Sequence, residues 1–207
     1  MRVPFILAVL SPSALCPPPF AHAQATLSEA NQIRLARSAA PAEVSAKATI
    51  LILRDGKYVE SVKGSNGVTC YVSRSQPEAV EPECFDTEAA HTILPINILK
   101  NELSIAGKSS AEVDRIVAEK IQSGEFRLPR RPAMVYMMSA AQILYTPDGR
   151  RVGPWKPHLM LYYPFVRATD LGLEKQGPLI SFLGEGGAMS AIVIPAGDFV
   201  QPAAATP

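Results

Sequence analysis

The chain has 207 residues, of which 47% are hydrophobic and 19% are charged, so it is long enough to bury a core and has the composition of a globular protein. The formal net charge is +1 for the whole chain, and it is zero without residues 1–23, whose one charged side chain is Arg2. This balance argues against a broad basic surface, and we expect no nucleic acid partner.

The first 23 residues follow the pattern of a secretory signal peptide. Arg2 precedes the apolar run 5–10, and residues 21–23 have the Ala-x-Ala pattern that precedes a cleavage site. The apolar run is much shorter than the roughly 20 residues that a membrane-spanning helix needs. The sequence therefore predicts cleavage after Ala23 and a periplasmic or secreted protein.

Cleavage there leaves a single domain over residues 24–200, a disordered tail over residues 201–207 and no integral membrane segment. A lipoprotein acylated on Cys16 is the alternative, although Leu15 is a poor fit before such a cysteine.

Two cysteines, Cys70 and Cys84, remain in the mature chain. An even number of cysteines in a chain bound for an oxidising compartment predicts one disulfide. Its role would be structural, because a redox-active or metal-binding pair favours closer spacing or neighbouring histidines.

The order of predicted elements indicates one α+β domain. A helix that begins at the capping box of residues 26–29 and ends near Ala39 precedes strands at 50–53, 57–63 and 68–73. The prolines and glutamates of residues 76–83 predict a solvated loop that leads to Cys84. The predicted helices that follow are a short one from Asp86 to Leu94, a second one that begins at Pro95, and a third one over 109–124, and the later predicted strands are 134–139, 142–145, 158–165 and 191–195.

These elements predict an antiparallel sheet of about six strands covered by helices. The layout resembles that of PAS-like and profilin-like domains, a comparison that rests on the order of elements alone.

His158 is the best candidate for a functional side chain. It enters a predicted strand beside Trp155, and Tyr162 shares its face of that strand. An imidazole at such a place suits a ligand pocket or acid–base chemistry, although a hydrogen-bonded structural histidine is the more common case. The predicted binding residues are therefore His158, Trp155 and Tyr162.

The common signatures of catalysis and cofactor binding are missing from the sequence. There is no Gly-x-Ser-x-Gly, no His-Glu-x-x-His and no P-loop, and the glycines at 184–187 do not complete a dinucleotide-binding motif. We therefore predict no catalytic residue, no metal and no cofactor.

Several segments resemble those of a family of secreted bacterial proteins of unknown function. The resemblance is carried by Ala36 to Pro41, Lys63 to Gly67 with Thr69 and Cys70, Met137 to Ser139, and Pro157 to Met160. It implies export and a common fold, and it draws attention to the segment around His158.

The leading hypothesis is an exported, non-enzymatic module that binds a small molecule or an envelope protein in a pocket between sheet and helices. The alternatives are a hydrolase or isomerase that uses His158 as acid or base, and a purely structural envelope protein.

Overall fold

The computed structural model describes residues 27–76, 78–146, 149–153, 155–173 and 180–204. The predicted signal peptide, Cys16 and the end of the predicted tail lie outside the described residues. Those residues form the α-helices α1 (Glu29–Arg37), α2 (Ala42–Ser45), α3 (Thr87–Ile105) and α4 (Ser110–Gln122), and a 3-10 helix at Ala168–Leu171. The strands are β1 (Thr49–Arg54), β2 (Lys57–Val62), β3 (Thr69–Ser73), β4 (Glu81–Phe85), β5 (Ala133–Met137), β6 (His158–Tyr162), β7 (Ser181–Leu183) and β8 (Ala191–Pro195).

The described strands form one sheet in the order β2-β1-β3-β4-β5-β6-β8-β7. β1 and β3 are parallel, and the other neighbours are antiparallel. The α+β class and the mostly antiparallel sheet are confirmed. The sheet has eight strands rather than about six, because β4 and β7 were not predicted.

Helices cover both faces of the sheet, so two cores lie on opposite sides of it. On β3, Cys70 packs with Leu35 and Ala36 of α1, whereas the next residue, Tyr71, packs with Ile93 of α3. Successive side chains of a strand point to opposite faces, which places α1 on one face and α3 on the other. Helix α4 packs against α3.

The predicted disulfide between Cys70 and Cys84 is present. The two cysteines lie directly opposite each other on the antiparallel strands β3 and β4. The crosslink therefore joins two neighbouring strands, whereas the sequence predicted that Cys84 follows a solvated loop.

Helix α3 is continuous from Thr87 to Ile105, so the prediction of two helices that meet at Pro95 was wrong. A proline inside a helix removes one hydrogen bond and costs about 3 kcal/mol. Leu94 and Ile96 on either side of it are buried. The burial of apolar side chains on the sheet offsets the cost of the proline.

Two predictions about the chain beside β4 were also wrong. Residues 81–83 are not part of a solvated loop, because β4 begins at Glu81 and all five of its residues are buried. The predicted strand at 142–145 is represented by isolated bridges, from Ile143 to Val80 and from Tyr145 to Arg151.

Other local signals were confirmed. Ser109 and Glu112 form the capping box that begins α4, and Asp55 and Gly56 connect β1 and β2. Among the described residues, no helix combines the length and the apolar character that a membrane crossing requires.

Candidate functional site

A cleft of about 710 Å³ lies between the sheet and the helices α3 and α4. Its size falls in the range of small-molecule sites in proteins. Strands β3, β4, β5, β6 and β8 and the two helices contribute lining side chains. The lining side chains include Ser73, Glu81, Glu83, Asn97, Lys100, Asn101, Met137, His158, Met160, Tyr162 and Val193.

The polar end of the cleft is built on β4. Glu81 and Glu83 lie two residues apart on this strand, so both side chains point to the face that α3 covers. Both residues are about 6% exposed. Two buried carboxyl groups on one short strand are uncommon, because glutamate is seldom buried without a partner.

Glu83 has an incomplete set of hydrogen bonds. Within the described part of the chain, no donor forms a hydrogen bond with its Oε2 atom. Burial, with a smaller contribution from the charge of Glu81, raises the pKa of Glu83 to about 8, and hydrogen bonding with Tyr71 and Asn97 opposes that rise. At neutral pH this carboxyl group therefore carries a proton in the empty protein.

Glu81 is better provided with donors. The Ser73 hydroxyl donates to its Oε2 at 3.1 Å, and the Ser75 hydroxyl donates to its Oε1 at 2.8 Å. Burial raises the pKa of Glu81, while the hydrogen bonds from these serines and the charge of Arg74 counteract the rise.

Asn101 on α3 ties the helix to this group. Its Nδ2 donates to the Ser73 Oγ at 2.9 Å and to the Tyr71 hydroxyl at 3.2 Å. Tyr71 also packs edge-on against Phe85, with ring centroids 5.6 Å apart. The network fixes the position of the side chains around Glu83.

His158 and Tyr162 both line the cleft from β6. The Nδ1 atom of His158 lies 3.0 Å from the Lys156 carbonyl oxygen. Because a carbonyl only accepts, Nδ1 carries the proton in the neutral ring, which leaves Nε2 as an acceptor. Burial lowers the pKa of His158, so the ring is neutral at pH 7.

Trp155 packs against His158. Its ring lies edge-on to the His158 ring at 4.6 Å between centroids, and at 6.0 Å from the ring of Phe199. Trp155 is not one of the side chains that line the cleft. The structure thus brings two of the three predicted binding residues to the cleft wall and places the third beside one of them.

Comparison with known proteins gives no relative. No protein family model, no curated protein and no solved structure matches this chain.

Glu81 and Glu83 were not predicted as site residues. Their neighbours Pro77 and Pro82 made the segment resemble a loop, and the one signal that pointed the other way was the spacing of two residues, which places both on one face of a strand. Among the described residues, no group of three or more His, Cys, Asp or Glu side chains is arranged to hold a metal ion. The side chains of Glu81, Glu83 and His158 give the cleft groups that can transfer protons and form hydrogen bonds.

Proposed function

We propose that this protein is an exported binding module that holds a small molecule in the cleft between the sheet and helices α3 and α4. The observation that carries the proposal is the Oε2 atom of Glu83, a buried oxygen at the cleft with which no described group forms a hydrogen bond. A buried polar atom without a partner costs about 1–3 kcal/mol. A ligand that supplies the missing hydrogen bond recovers part of that free energy.

The remaining walls support the same function. Met137, Met160 and Val193 give the cleft an apolar surface, while His158 and Asn101 add polar groups of defined orientation. Mostly apolar walls with a few fixed polar groups are typical of sites for small organic molecules.

Thermal-shift screening of the purified protein against a metabolite library tests this proposal. We expect at least one compound to raise the melting temperature, because a ligand that binds the folded state alone stabilises it. The variant Ser104→Trp places an indole in the cleft and should remove the shift, since Ser104 lines the cleft. Ser123→Trp, at the exposed end of α4, is the matched control and should keep it. A library that shifts neither the unmodified protein nor this control contradicts the proposal.

An enzyme of the hydrolase or isomerase type is the second candidate, and the raised pKa of Glu83, about 8, is the observation that favours it. A carboxyl group that titrates near neutral pH suits general acid–base catalysis. His158, the predicted acid or base, lines the same cleft. If the protein turns over any of a panel of p-nitrophenyl esters, phosphates and glycosides, Glu83→Gln and His158→Gln should each reduce the rate at least about 100-fold. Turnover that survives both substitutions argues against this candidate.

The proposal includes export to the periplasm or the exterior. The disulfide between Cys70 and Cys84 supports it, because such crosslinks persist in oxidising compartments. Expression of the full chain in a bacterial host should yield a protein whose first residue is Gln24. Recovery of the intact chain from the cytosol with both cysteines reduced would contradict export.

The proposal also includes two resemblances to other proteins. One is the likeness to secreted bacterial proteins that residues 157–160 and the other shared segments suggest. The other is the PAS-like or profilin-like layout, which the antiparallel sheet with helices over the cleft supports.

A further inference from the structure

We propose that the ligand of the cleft is an organic cation with an apolar body, such as a primary alkylamine, whose ammonium group lies against Glu83. This inference rests on the proposed binding function and names the chemical class of its ligand.

The distribution of donors at β4 is the first argument. Both carboxyl oxygens of Glu81 accept hydrogen bonds from Ser73 and Ser75, whereas none of the described donors reaches the Glu83 Oε2. When Glu83 is ionised, this oxygen is therefore an acceptor that a ligand can satisfy. An ammonium group has three donors and no acceptor, so it fits this place better than a hydroxyl or a carboxylate does.

Charge is the second argument. Glu81 and Glu83 place two carboxyl groups at the polar end of the cleft, and the cation that lines the cleft is Lys100 on α3, whose side chain is partly exposed. An anionic ligand at Glu83 would be repelled by the charge of Glu81 and would oppose the ionisation of Glu83, which disfavours it in a buried site. A cation there is attracted by Glu81 and favours the ionised form of Glu83, although the nearby positive charge of Arg74 offsets part of the charge of Glu81.

The walls are the third argument. Glu83 acts electrostatically on the buried phenol of Tyr162, and Tyr162 lines the cleft from β6. Aromatic rings bind cations favourably, and Met137, Met160 and Val193 offer apolar contacts for a hydrocarbon body. The cleft thus combines an anionic end with an apolar wall.

Binding of a cation at Glu83 should release a proton. The empty protein holds a proton on this carboxyl group at pH 7, since its pKa is about 8. A bound ammonium group favours the carboxylate, so the proton leaves when the ligand arrives. The affinity should therefore rise up to about tenfold per pH unit as the pH rises towards 8.

Other titratable groups face the same space from the neighbouring elements. Those that line the cleft are Glu81 on β4, His158 on β6, Lys100 on α3, Asp114 on α4 and Tyr145 after β5. Arg74, which follows β3, acts electrostatically on Glu81. Burial lowers the pKa of His158 from 6.5, and burial raises that of Tyr58, Tyr71 and Tyr162 above 10. Proton release between pH 7 and pH 8 is therefore assigned to Glu83, and a variant at that position tests the assignment.

Isothermal titration calorimetry with hexylamine, hexanol and hexanoate provides the test, because these probes share one chain and differ in the head group. We expect hexylamine to bind at least about tenfold more tightly than hexanol at pH 7.5, and hexanoate to bind most weakly. Titrations in two buffers of different ionisation enthalpy should show close to one proton released per hexylamine bound at pH 7.

Two matched variants locate the effect. Glu83→Gln keeps the shape of the protonated side chain, and it should reduce hexylamine affinity at least about tenfold, abolish proton release and leave hexanol binding unchanged. Glu78→Gln removes the same group from an exposed position five residues away and should change none of these values. If Glu83→Gln fails to fold, the relative affinities of the three probes for the unmodified protein decide whether the cleft prefers a cation.

Each outcome separates this inference from the proposed function. If hexanol binds as tightly as hexylamine, the inference of a cationic ligand is wrong, and the proposal of small-molecule binding remains. The same holds if library compounds bind and hexylamine does not. If no library compound and no probe binds, both proposals fail.

Discussion

The proton on Glu83 makes the stability of the protein depend on pH. The pKa of this carboxyl group is about 8 in the folded protein and about 4.5 in an unfolded chain, so between these values the folded state keeps a proton that the unfolded chain has lost. Glu83 should therefore lower the free energy of unfolding as the pH rises from 5 to 8, by up to roughly 1.4 kcal/mol per pH unit. His158, whose pKa is lowered from 6.5, contributes with the opposite sign below that pH, so the effect of Glu83 is isolated by comparison with a variant.

The variant Glu83→Gln removes this contribution. Its free energy of unfolding, measured by urea titration at several pH values, should match that of the unmodified protein near pH 5 and exceed it at pH 8. Glu78→Gln, at an exposed position, should retain the original slope. Parallel curves for the unmodified protein and Glu83→Gln would show that Glu83 has an ordinary pKa.

Ser38 and Ser139 form a second buried polar contact, on the other side of the sheet. Their hydroxyl oxygens lie 2.6 Å apart, and the Ser38 Oγ also lies 2.6 Å from the Leu35 carbonyl oxygen. Because the Ser38 hydroxyl donates its hydrogen bond to the Leu35 carbonyl, the Ser139 hydroxyl donates to the Ser38 oxygen. The Ser139 Oγ in turn accepts from the Ala141 amide at 3.2 Å. This pair joins the end of α1 to the chain that follows β5.

Ser139→Ala should lower the free energy of unfolding by about 1–3 kcal/mol, because it leaves the buried Ser38 hydroxyl and the Ala141 amide with fewer partners. Chemical denaturation measures the change. Ser65→Ala, at an exposed turn, should alter the stability by less than about 0.5 kcal/mol. A loss at Ser139 no larger than that at Ser65 would refute the role of this pair.

At the scale of elements, strand β4 carries both a residue of the candidate site and one cysteine of the disulfide. Glu83 and Cys84 are successive residues, so the strand presents a carboxyl group to the cleft and a sulfur to the opposite core. The crosslink to Cys70 fixes β4 beside β3, which carries Tyr71 and Ser73 of the same polar network. Loss of the disulfide should therefore affect both stability and the cleft.

The double variant Cys70→Ser with Cys84→Ser should lower the free energy of unfolding by roughly 3 kcal/mol. The two cysteines are 14 residues apart, and closing a loop of this length restricts the unfolded chain by about that amount. Urea denaturation of the variant, and of the unmodified protein with and without dithiothreitol, measures the effect. The reduced protein should match the variant, and equal stability with and without reductant would contradict the prediction.

The elements that the sequence predicted correctly are those whose signals are local. The Ser109 and Glu112 capping box and the Asp55-Gly56 turn depend on neighbouring residues alone, and both are present. The continuity of α3 through Pro95 and the burial of β4 depend on tertiary contacts, which outweigh the local preference of proline and glutamate.

In the candidate site, too, local signals predicted some residues, while tertiary contacts determine the others. The alternation of a single strand placed His158 and Tyr162 on one face, and both line the cleft. Glu83 reaches them only because β4 lies next to β5, which lies next to β6. That order of strands, which brings together residues 75 positions apart, is not encoded in any local pattern.

At the scale of the whole molecule, one sheet separates two cores and connects them. Ile50 is buried on the α1 side and Ile93 on the α3 side, and they belong to different clusters of packed side chains. β3 contributes Cys70 to one cluster and Tyr71 to the other, so neither core is independent of the sheet. The described domain should therefore unfold as one cooperative unit, although its two cores do not share side-chain contacts.

Conservative cavity variants test this expectation. Ile50→Val and Ile93→Val should each lower the free energy of unfolding by about 0.5–1.5 kcal/mol. The losses should add to within about 0.5 kcal/mol in the double variant, because the two side chains share no partner. Fluorescence and circular dichroism should give one coincident transition for all four proteins, since the shared strands must break for either core to open. If Ile93→Val alone separates the two signals, the α3–α4 layer unfolds by itself, and the cleft is then bounded by a layer that opens independently of the sheet.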